Sequence, residues 1–223
     1  MSPINTQNDW SLRKQIFDYL STQIENGNLK QGSLINVRQL TEEMNISRTP
    51  LREALAQMEV QGMVTIMPQR GVMINVLTYE QLLDIFEILG ALESQVLMSV
   101  FEQITPTRID RMEKLNVSMA DHIVDEKNQK FHESNIRLHK IFLDLSNNEE
   151  LTSYVNTLKL RVFGFAVKSY RDRFKREIVN EHKELISLLR SGKKDEAVHY
   201  LKEVHWKFNY PDNFIRSEVN GAG

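Results

Sequence analysis

The stretch Ile46-Ser47-Arg48-Thr49-Pro50-Leu51-Arg52-Glu53-Ala54-Leu55 constrains the fold more than any other part of the chain. Ser47 carries the side-chain oxygen that a helix N-cap uses, and Pro50 falls in the first turn, where its missing N–H costs nothing. Leu51, Ala54, Leu55 and Met58 recur at i, i+3, i+4 and i+7 and form one apolar stripe. Arg48 and Arg52 share a different face, with Thr49 beside them. A helix that buries a narrow stripe and turns arginines and a hydroxyl outward from its first turns is built to read a major groove. Taken alone, the same spacing also describes an amphipathic helix with two solvated arginines. The flanking sequence decides between the two.

Upstream, Leu12, Ile16, Tyr19, Leu20 and Ile24 repeat at helical spacing from about Trp10 to Glu25, and Gly27 ends that helix. Leu29 to Leu34 reads as a turn with a short extended piece. A second helix spans about Val37 to Met44, turns Leu40 and Met44 inward and stops at Asn45. A helix, a tight turn and an N-capped helix make a helix-turn-helix. After Gly62 the period changes to two: Val64 and Ile66, then Val72, Ile74 and Val76, separated by Met67-Pro68-Gln69-Arg70-Gly71. That is a hairpin, the wing of a winged helix-turn-helix, with Arg70 at its tip beside a glycine that permits close backbone approach to a minor groove. Residues 1–77 hold seven Lys/Arg and seven Asp/Glu. DNA binding therefore depends on where a few cations are placed and not on bulk charge.

These residues resemble the N-terminal domain of GntR-family bacterial transcription regulators. The likeness runs from about residue 12 to 76 and is carried by Gly27, Leu29, Gly32, Leu34, Leu40, the Ser47-Arg48-Thr49-Pro50-x-Arg52-Glu53-Ala54-Leu55 core, Gly62, Pro68, Arg70-Gly71 and Val72. The resemblance implies that Arg38, Arg48 and Arg52 contact operator bases or nearby phosphates, while Ser47, Thr49 and Gly71 position the backbone. Arg70 joins them from the wing.

From Thr78 onward the periods are helical: about 78–100, a helix opened by Pro106, about 130–145, 151–170, 171–189 and 195–208. The expected architecture is mainly α. A winged helix-turn-helix of three helices and a β-hairpin occupies residues 1–77, and a bundle of about six helices occupies residues 78–223. Within the bundle, Asn135 and His139 share a helix face, with His182 and His205 on later helices. Three imidazoles and a carbonyl oxygen suit zinc, nickel or manganese. From spacing alone, scattered helical histidines are usually surface or core residues and not ligands, and His122, His132 and His199 are read as surface. Phe163, Phe165, Tyr170 and Phe174 pack the core or line a pocket.

Phe131-x-x-x-Asn135-x-x-Leu138-His139 with Asn148, Glu181-His182 before Gly192, and Ala197 before His205 resemble the FCD-type effector domain of FadR-like GntR regulators, over about residues 78–210. The resemblance implies a divalent metal held by Asn135, His139, His182 and His205 at the floor of a small-molecule pocket. Three positions depart from the family pattern. Asn135 stands where Asp is commoner, and a neutral amide oxygen binds a metal more weakly. His205 lies thirteen residues after Gly192, one more than expected. One residue turns a helix by about 100°, so either the loop before Asp195 absorbs it or His205 faces elsewhere. Leu89 stands where an arginine usually pairs with an acidic ligand, leaving Arg161 or Arg171 to substitute. Leu89 and Arg161 are the candidate pocket residues.

The chain has no cysteine, no apolar run of about 20 residues and a net charge of -2, as expected of a cytoplasmic protein without a membrane span. The expected partners are double-stranded operator DNA, a second copy in a homodimer and a small effector such as an organic acid. The expected role is a transcriptional repressor and not an enzyme, since no carboxylate is placed as a base near the histidines: Glu181 neighbours His182, but successive helical residues point about 100° apart. The alternatives are a helical half that only dimerises, without metal or ligand, and a metal-dependent enzyme in which the ion activates water.

Overall fold

A computed structural model of the chain describes residues 9–25, 28–30, 32–169 and 172–207, with the side chains of 163–169 and several in the first helix outside that description. The chain forms two compact units that part at Leu77–Thr78. Gly27, Tyr170, Arg171, Phe208 and the side chains of Trp10, Ile24, Phe163 and Phe165 lie outside the described residues.

The first unit contains α1 (Asp9–Glu25), β1 (Leu34–Ile35), α2 (Val37–Met44), α3 (Arg48–Val60), β2 (Val64–Met67) and β3 (Gly71–Ile74). Leu12, Ile16 and Leu20 of α1 are buried and α1 packs on α3, whose stripe Leu51, Ala54, Leu55 and Met58 is also buried. Asn36 caps α2 by accepting the Gln39 N–H at 3.0 Å, and Asn45 ends it in a left-handed conformation at φ 51°. Ser47 has the extended backbone of an N-cap, but its side chain makes no cap hydrogen bond, contrary to the role its hydroxyl suggested.

At the far end of α3, Gly62 at φ +72° lets its own N–H reach Glu59 O and the Met63 N–H reach Met58 O, each at 2.9 Å. The wing is larger than the expected hairpin. The extended piece Leu34–Ile35 pairs antiparallel with Met73 and Val72, giving a three-stranded sheet of order β1-β3-β2. Strand alternation holds for Val64, Val72 and Ile74, which are buried, but Ile66 is exposed and Val76 lies beyond the strand and exposed. Asn75 secures the hairpin by donating to Gly62 O and Val64 O and accepting from the Thr65 hydroxyl.

The second unit contains α4 (Tyr79–Val100), α5 (Pro106–Val124), α6 (Asn128–Leu143), α7 (Glu149–Ser169), α8 (Asp172–Arg190) and α9 (Lys194–Tyr200). Thr78 and Gln81 form a reciprocal capping box at the start of α4, and Thr105 with Pro106 opens α5. The core holds Leu82, Leu97, Met112, Phe131, Phe142 and Leu201, all without exposure, each contributing about 1.5–3 kcal/mol by leaving water. α5 packs between α6 and α8.

The last helix does not continue as α-helix. At Leu201–His205 it becomes a π turn, closed by the Trp206 N–H donating to Leu201 O at 3.1 Å. Gly90 lets this turn sit against α4: a Cβ there would stand 3.0 Å from Trp206 Cβ and 3.2 Å from Lys202 O, too close for any larger residue without a shift. Among the described residues no helix is long and apolar enough to cross a membrane.

Candidate metal centre and nucleic-acid interface

In the first unit, Arg48, Thr49 and Arg52 are exposed on the first two turns of α3, opposite the buried stripe, with Ser47 exposed just before them. Arg70 is exposed at the wing tip, where its N–H closes a turn onto Met67 O at 3.1 Å, and Gly71 at φ +111° leads into β3. The turn puts Gln69, a non-glycine, at φ +61°. Arg38 is exposed on the first turn of α2, and its Nε donates to Glu42 Oε1 at 3.0 Å, one helical turn along. An operator phosphate would compete with that carboxylate. Glu42→Gln is therefore expected to raise operator affinity several-fold at low salt, with the gain shrinking as salt rises. A mobility-shift titration at two salt concentrations measures it, and a loss of affinity would mean that Glu42 itself takes part in the contact.

In the second unit, three histidines from three elements converge. His139 of α6, His182 of α8 and His205 at the end of the π turn are all buried, and one ring nitrogen of each lies within 4.8 Å of the others. His139 Nε2 is 3.1 Å from His182 Nε2 and 3.2 Å from His205 Nε2. The π turn resolves the spacing problem. It holds one more residue per turn than an α-helix, and His205 at its end faces His139 and His182 rather than elsewhere.

The carboxylates behind the rings determine what the converging nitrogens offer. His139 Nδ1 lies 2.7 Å from Glu93 Oε2, and His205 Nδ1 lies 2.9 Å from Glu181 Oε2. An ionised carboxylate only accepts, so each Nδ1 donates its N–H to the carboxylate and the Nε2 atoms are left facing one another. Two Nε2 lone pairs 3.2 Å apart would repel each other, and either a proton or a metal ion between them relieves this. Three nitrogens bound to one ion at about 2.0–2.1 Å stand about 3.3 Å apart, close to the separations found. The donor set therefore fits a divalent metal. Asn135, one turn before His139, is buried and its Oδ1 has no hydrogen-bond partner among the described residues.

Electrostatics keep the rings ready for a metal. Burial, followed by the charge of Lys159, pushes His139 down to about 4, with Glu93 pulling partly the other way. Burial also drives His182 well below the ordinary histidine value. Glu93 is raised by burial, but Lys159 and His139 outweigh this and hold it at about 2. Both histidines take protons less readily folded than unfolded. Their contribution to stability is therefore complete above the unfolded value of 6.5 and is lost as pH falls toward about 4. The metal-free protein is expected to lose thermal stability steadily from pH 7 to pH 4, measured by its unfolding midpoint in the presence of a chelator. A midpoint constant over that range would mean that these rings are not held neutral.

Several expectations change at this site. His132 is buried and not a surface residue; Phe131 meets its ring edge-on at 5.4 Å. Glu181 does not serve its neighbour His182 but reaches across to His205. Leu89 is fully buried one turn before Glu93, and Arg161 is half-buried with its Nε lacking a hydrogen-bond partner among the described residues. Among the described residues the cation ion-paired beside the centre is not Arg161 but Lys159 of α7, buried and paired with Glu93 Oε1. Trp206, also unanticipated, donates its Nε1–H to Glu93 Oε2 at 3.0 Å. Both charges were visible in the sequence as interruptions of apolar stripes: Glu93 between Leu89 and Leu97, and Lys159 between Val155 and Val162.

Comparison with known proteins matches this architecture. Residues 12–74 match the bacterial regulatory proteins of the gntR family, and residues 84–205 match the FCD domain. The chain is 28% identical over 200 residues to the Nta operon transcriptional regulator of Aminobacter aminovorans, covering 85% of this chain and 90% of the relative. It is 23% identical over 204 residues to the gluconate operon transcriptional repressor of Bacillus licheniformis, covering 85% and 79%. Among solved structures it resembles E. coli McbR/YncC with a TM-score of 0.75 and 21% identity, over 87% of this chain and 93% of that one, which supports the fold. The chain thus belongs to the gntR family of bacterial regulatory proteins with an FCD domain, and it is a DNA-binding transcriptional regulator.

Proposed function

We propose that this regulator is a repressor whose operator affinity is controlled by a small metabolite bound at a divalent metal in the helical domain. His139, His182 and His205 hold the ion, and Asn135 supplies a weaker amide oxygen. The observation that carries the reading is the convergence of three Nε2 atoms with two of the Nδ1 atoms tied to carboxylates. Such a metal supplies Lewis acidity and open positions that a chelating organic acid can occupy. Glu93 and Glu181 orient the rings of His139 and His205, and burial keeps His139 and His182 unprotonated.

Residues 1–77 form the DNA-reading domain and 78–223 the effector and dimerisation domain. In a homodimer, two copies of α3 and the wing read a near-palindromic operator, with half-sites about one helical turn apart. Arg38, Arg48, Arg52 and Arg70 supply the cations, with Ser47, Thr49 and Gly71 beside the backbone. The segment Val76–Tyr79, which joins the wing to α4, is the natural coupling point. An effector acts through it only by binding the DNA-competent and DNA-incompetent arrangements with different affinity.

The test is elemental analysis of protein purified without a histidine tag, paired with operator titrations in the presence of zinc, nickel or manganese and of chelator. About one ion per chain, with operator affinity that depends on metal plus a carboxylate metabolite, is the expected result. Operator binding with no ion at any metal concentration would leave the helical half as a dimerisation scaffold.

A further inference from the structure

Glu93 is the point where four elements of the helical unit meet. It belongs to α4 and has no exposed surface. It accepts from His139 Nδ1 of α6 and from Trp206 Nε1 beyond the π turn, and it is ion-paired with the ammonium of Lys159 on α7. The donors divide by oxygen: His139 and Trp206 share Oε2, and Lys159 takes Oε1. Lys159 is itself buried, and its ammonium lies 5.6 Å from the Trp206 ring centroid. Its stem sits on the apolar stripe of α7 between Val155 and Val162, both buried. A charge so placed is costly unless its partner stays in position.

A carboxylate behind a ligating histidine fixes the ring's orientation and raises its basicity, and how strongly it does so depends on what else that carboxylate binds. Lys159 is the only cation for which an ion pair with Glu93 is found among the described residues, apart from a protonated His139. One turn earlier on α4, at the position from which a long cationic side chain would reach Glu93 along its own helix, stands the buried Leu89.

We infer that Lys159 is a positioning residue for the metal centre: its charge, supplied from α7 and not from α4, holds Glu93 against His139 and thereby sets the affinity of the three-histidine site. Without that charge, a fully buried carboxylate has no counter-ion and relaxes away from His139, releasing the ring it orients. α7, which contributes no ligand to the histidine cluster, is thereby linked to metal occupancy. The inference rests on the metal reading above.

The experiment titrates cobalt(II) into the metal-free full-length protein, read by calorimetry and by the visible ligand-field absorption of the bound ion. It compares the unsubstituted chain with Lys159→Met, Lys159→Arg and the double variant Leu89→Arg/Lys159→Met, which moves the cation back to α4. Circular dichroism and unfolding midpoints accompany each titration. The expected result is that Lys159→Met binds cobalt about 10- to 100-fold more weakly with an altered absorption band, and that Lys159→Arg or the relocated arginine regains most of the loss. Should Lys159→Met fail to fold, the two charge-retaining variants carry the test by binding cobalt with the original band.

An unchanged affinity in folded Lys159→Met would overturn the inference while leaving the metal reading intact. So would a loss that neither arginine variant regains, because the packing of the stem and not its charge would then be responsible. Failure of the unsubstituted chain to bind cobalt, zinc, nickel or manganese would remove the metal reading and this inference together.

Discussion

His139→Ala is expected to abolish metal uptake and also to destabilise the metal-free protein, whereas His182→Ala is expected to abolish uptake at a smaller cost. The two rings stand 3.1 Å apart, but they are anchored differently. His139 donates to the buried Glu93, so its removal strips a donor from a carboxylate that has no access to water. Removing a neutral hydrogen-bond donor from a buried charged group costs about 1.5–3 kcal/mol. The lower end applies here, because Lys159 and Trp206 still hold Glu93. His182 Nδ1 has no hydrogen-bond partner among the described residues, so its loss leaves a cavity but no newly stranded charge. Elemental analysis reads the first effect and chemical denaturation in chelator the second. One ion retained in either variant would sink the three-histidine site. Equal destabilisation by both would sink the claim that Glu93 depends on His139.

The second large effect is expected at the other end of the chain. Arg48 and Arg52 project from the first turns of α3, and neither is part of the buried stripe that holds this helix in place. Each alanine substitution should cost about 1–3 kcal/mol of operator affinity while leaving the unfolding midpoint unchanged. Together they should lower affinity by two to three orders of magnitude if the contacts are independent. The kind of loss identifies the contact. A base-reading arginine relaxes discrimination at one operator position, whereas a phosphate contact weakens all sequences alike and reduces the salt slope by about one. Titrations on the operator, single-base variants and unrelated DNA at three salt concentrations separate the two. Full affinity in the double variant would exclude α3 as the reading helix.

How much of this was legible in the sequence differs between the two halves. The stripe Leu51, Ala54, Leu55 and Met58, the stop at Asn45 and the Thr78 cap are local features, set by helical periodicity and by side chains that hydrogen-bond their own backbone. Ser47 shows the limit of that reasoning: it takes the backbone conformation of a cap without making the bond. The short strand Leu34–Ile35 was visible only as an extended piece, because its partner lies nearly forty residues away, between Gly71 and Ile74.

At the centre, the histidines could be nominated from their spacing, but the partners that make them ligands could not. The link of Glu93 to His139 spans 46 positions and that of Glu181 to His205 spans 24. These contacts are made by packing, and helical periodicity carries no information about them beyond which face each side chain occupies. The sequence did carry one unused signal, a carboxylate and an ammonium each set into an otherwise apolar stripe. Charges seldom remain buried without each other.

The π turn has a consequence of a different kind. The turn ends at His205, and the next residue is an indole packed against the imidazoles. The Trp206 ring centroid is 5.3 Å from that of His205 and 5.5 Å from that of His139. The site thus contains its own optical reporter. An open-shell ion such as cobalt or nickel at the histidines would quench indole emission at contact range, and closed-shell zinc would leave it bright. The chain has one other tryptophan, Trp10, in the first unit. With Trp10→Phe, occupancy and the identity of the ion become readable in dilute solution from the light of a single side chain.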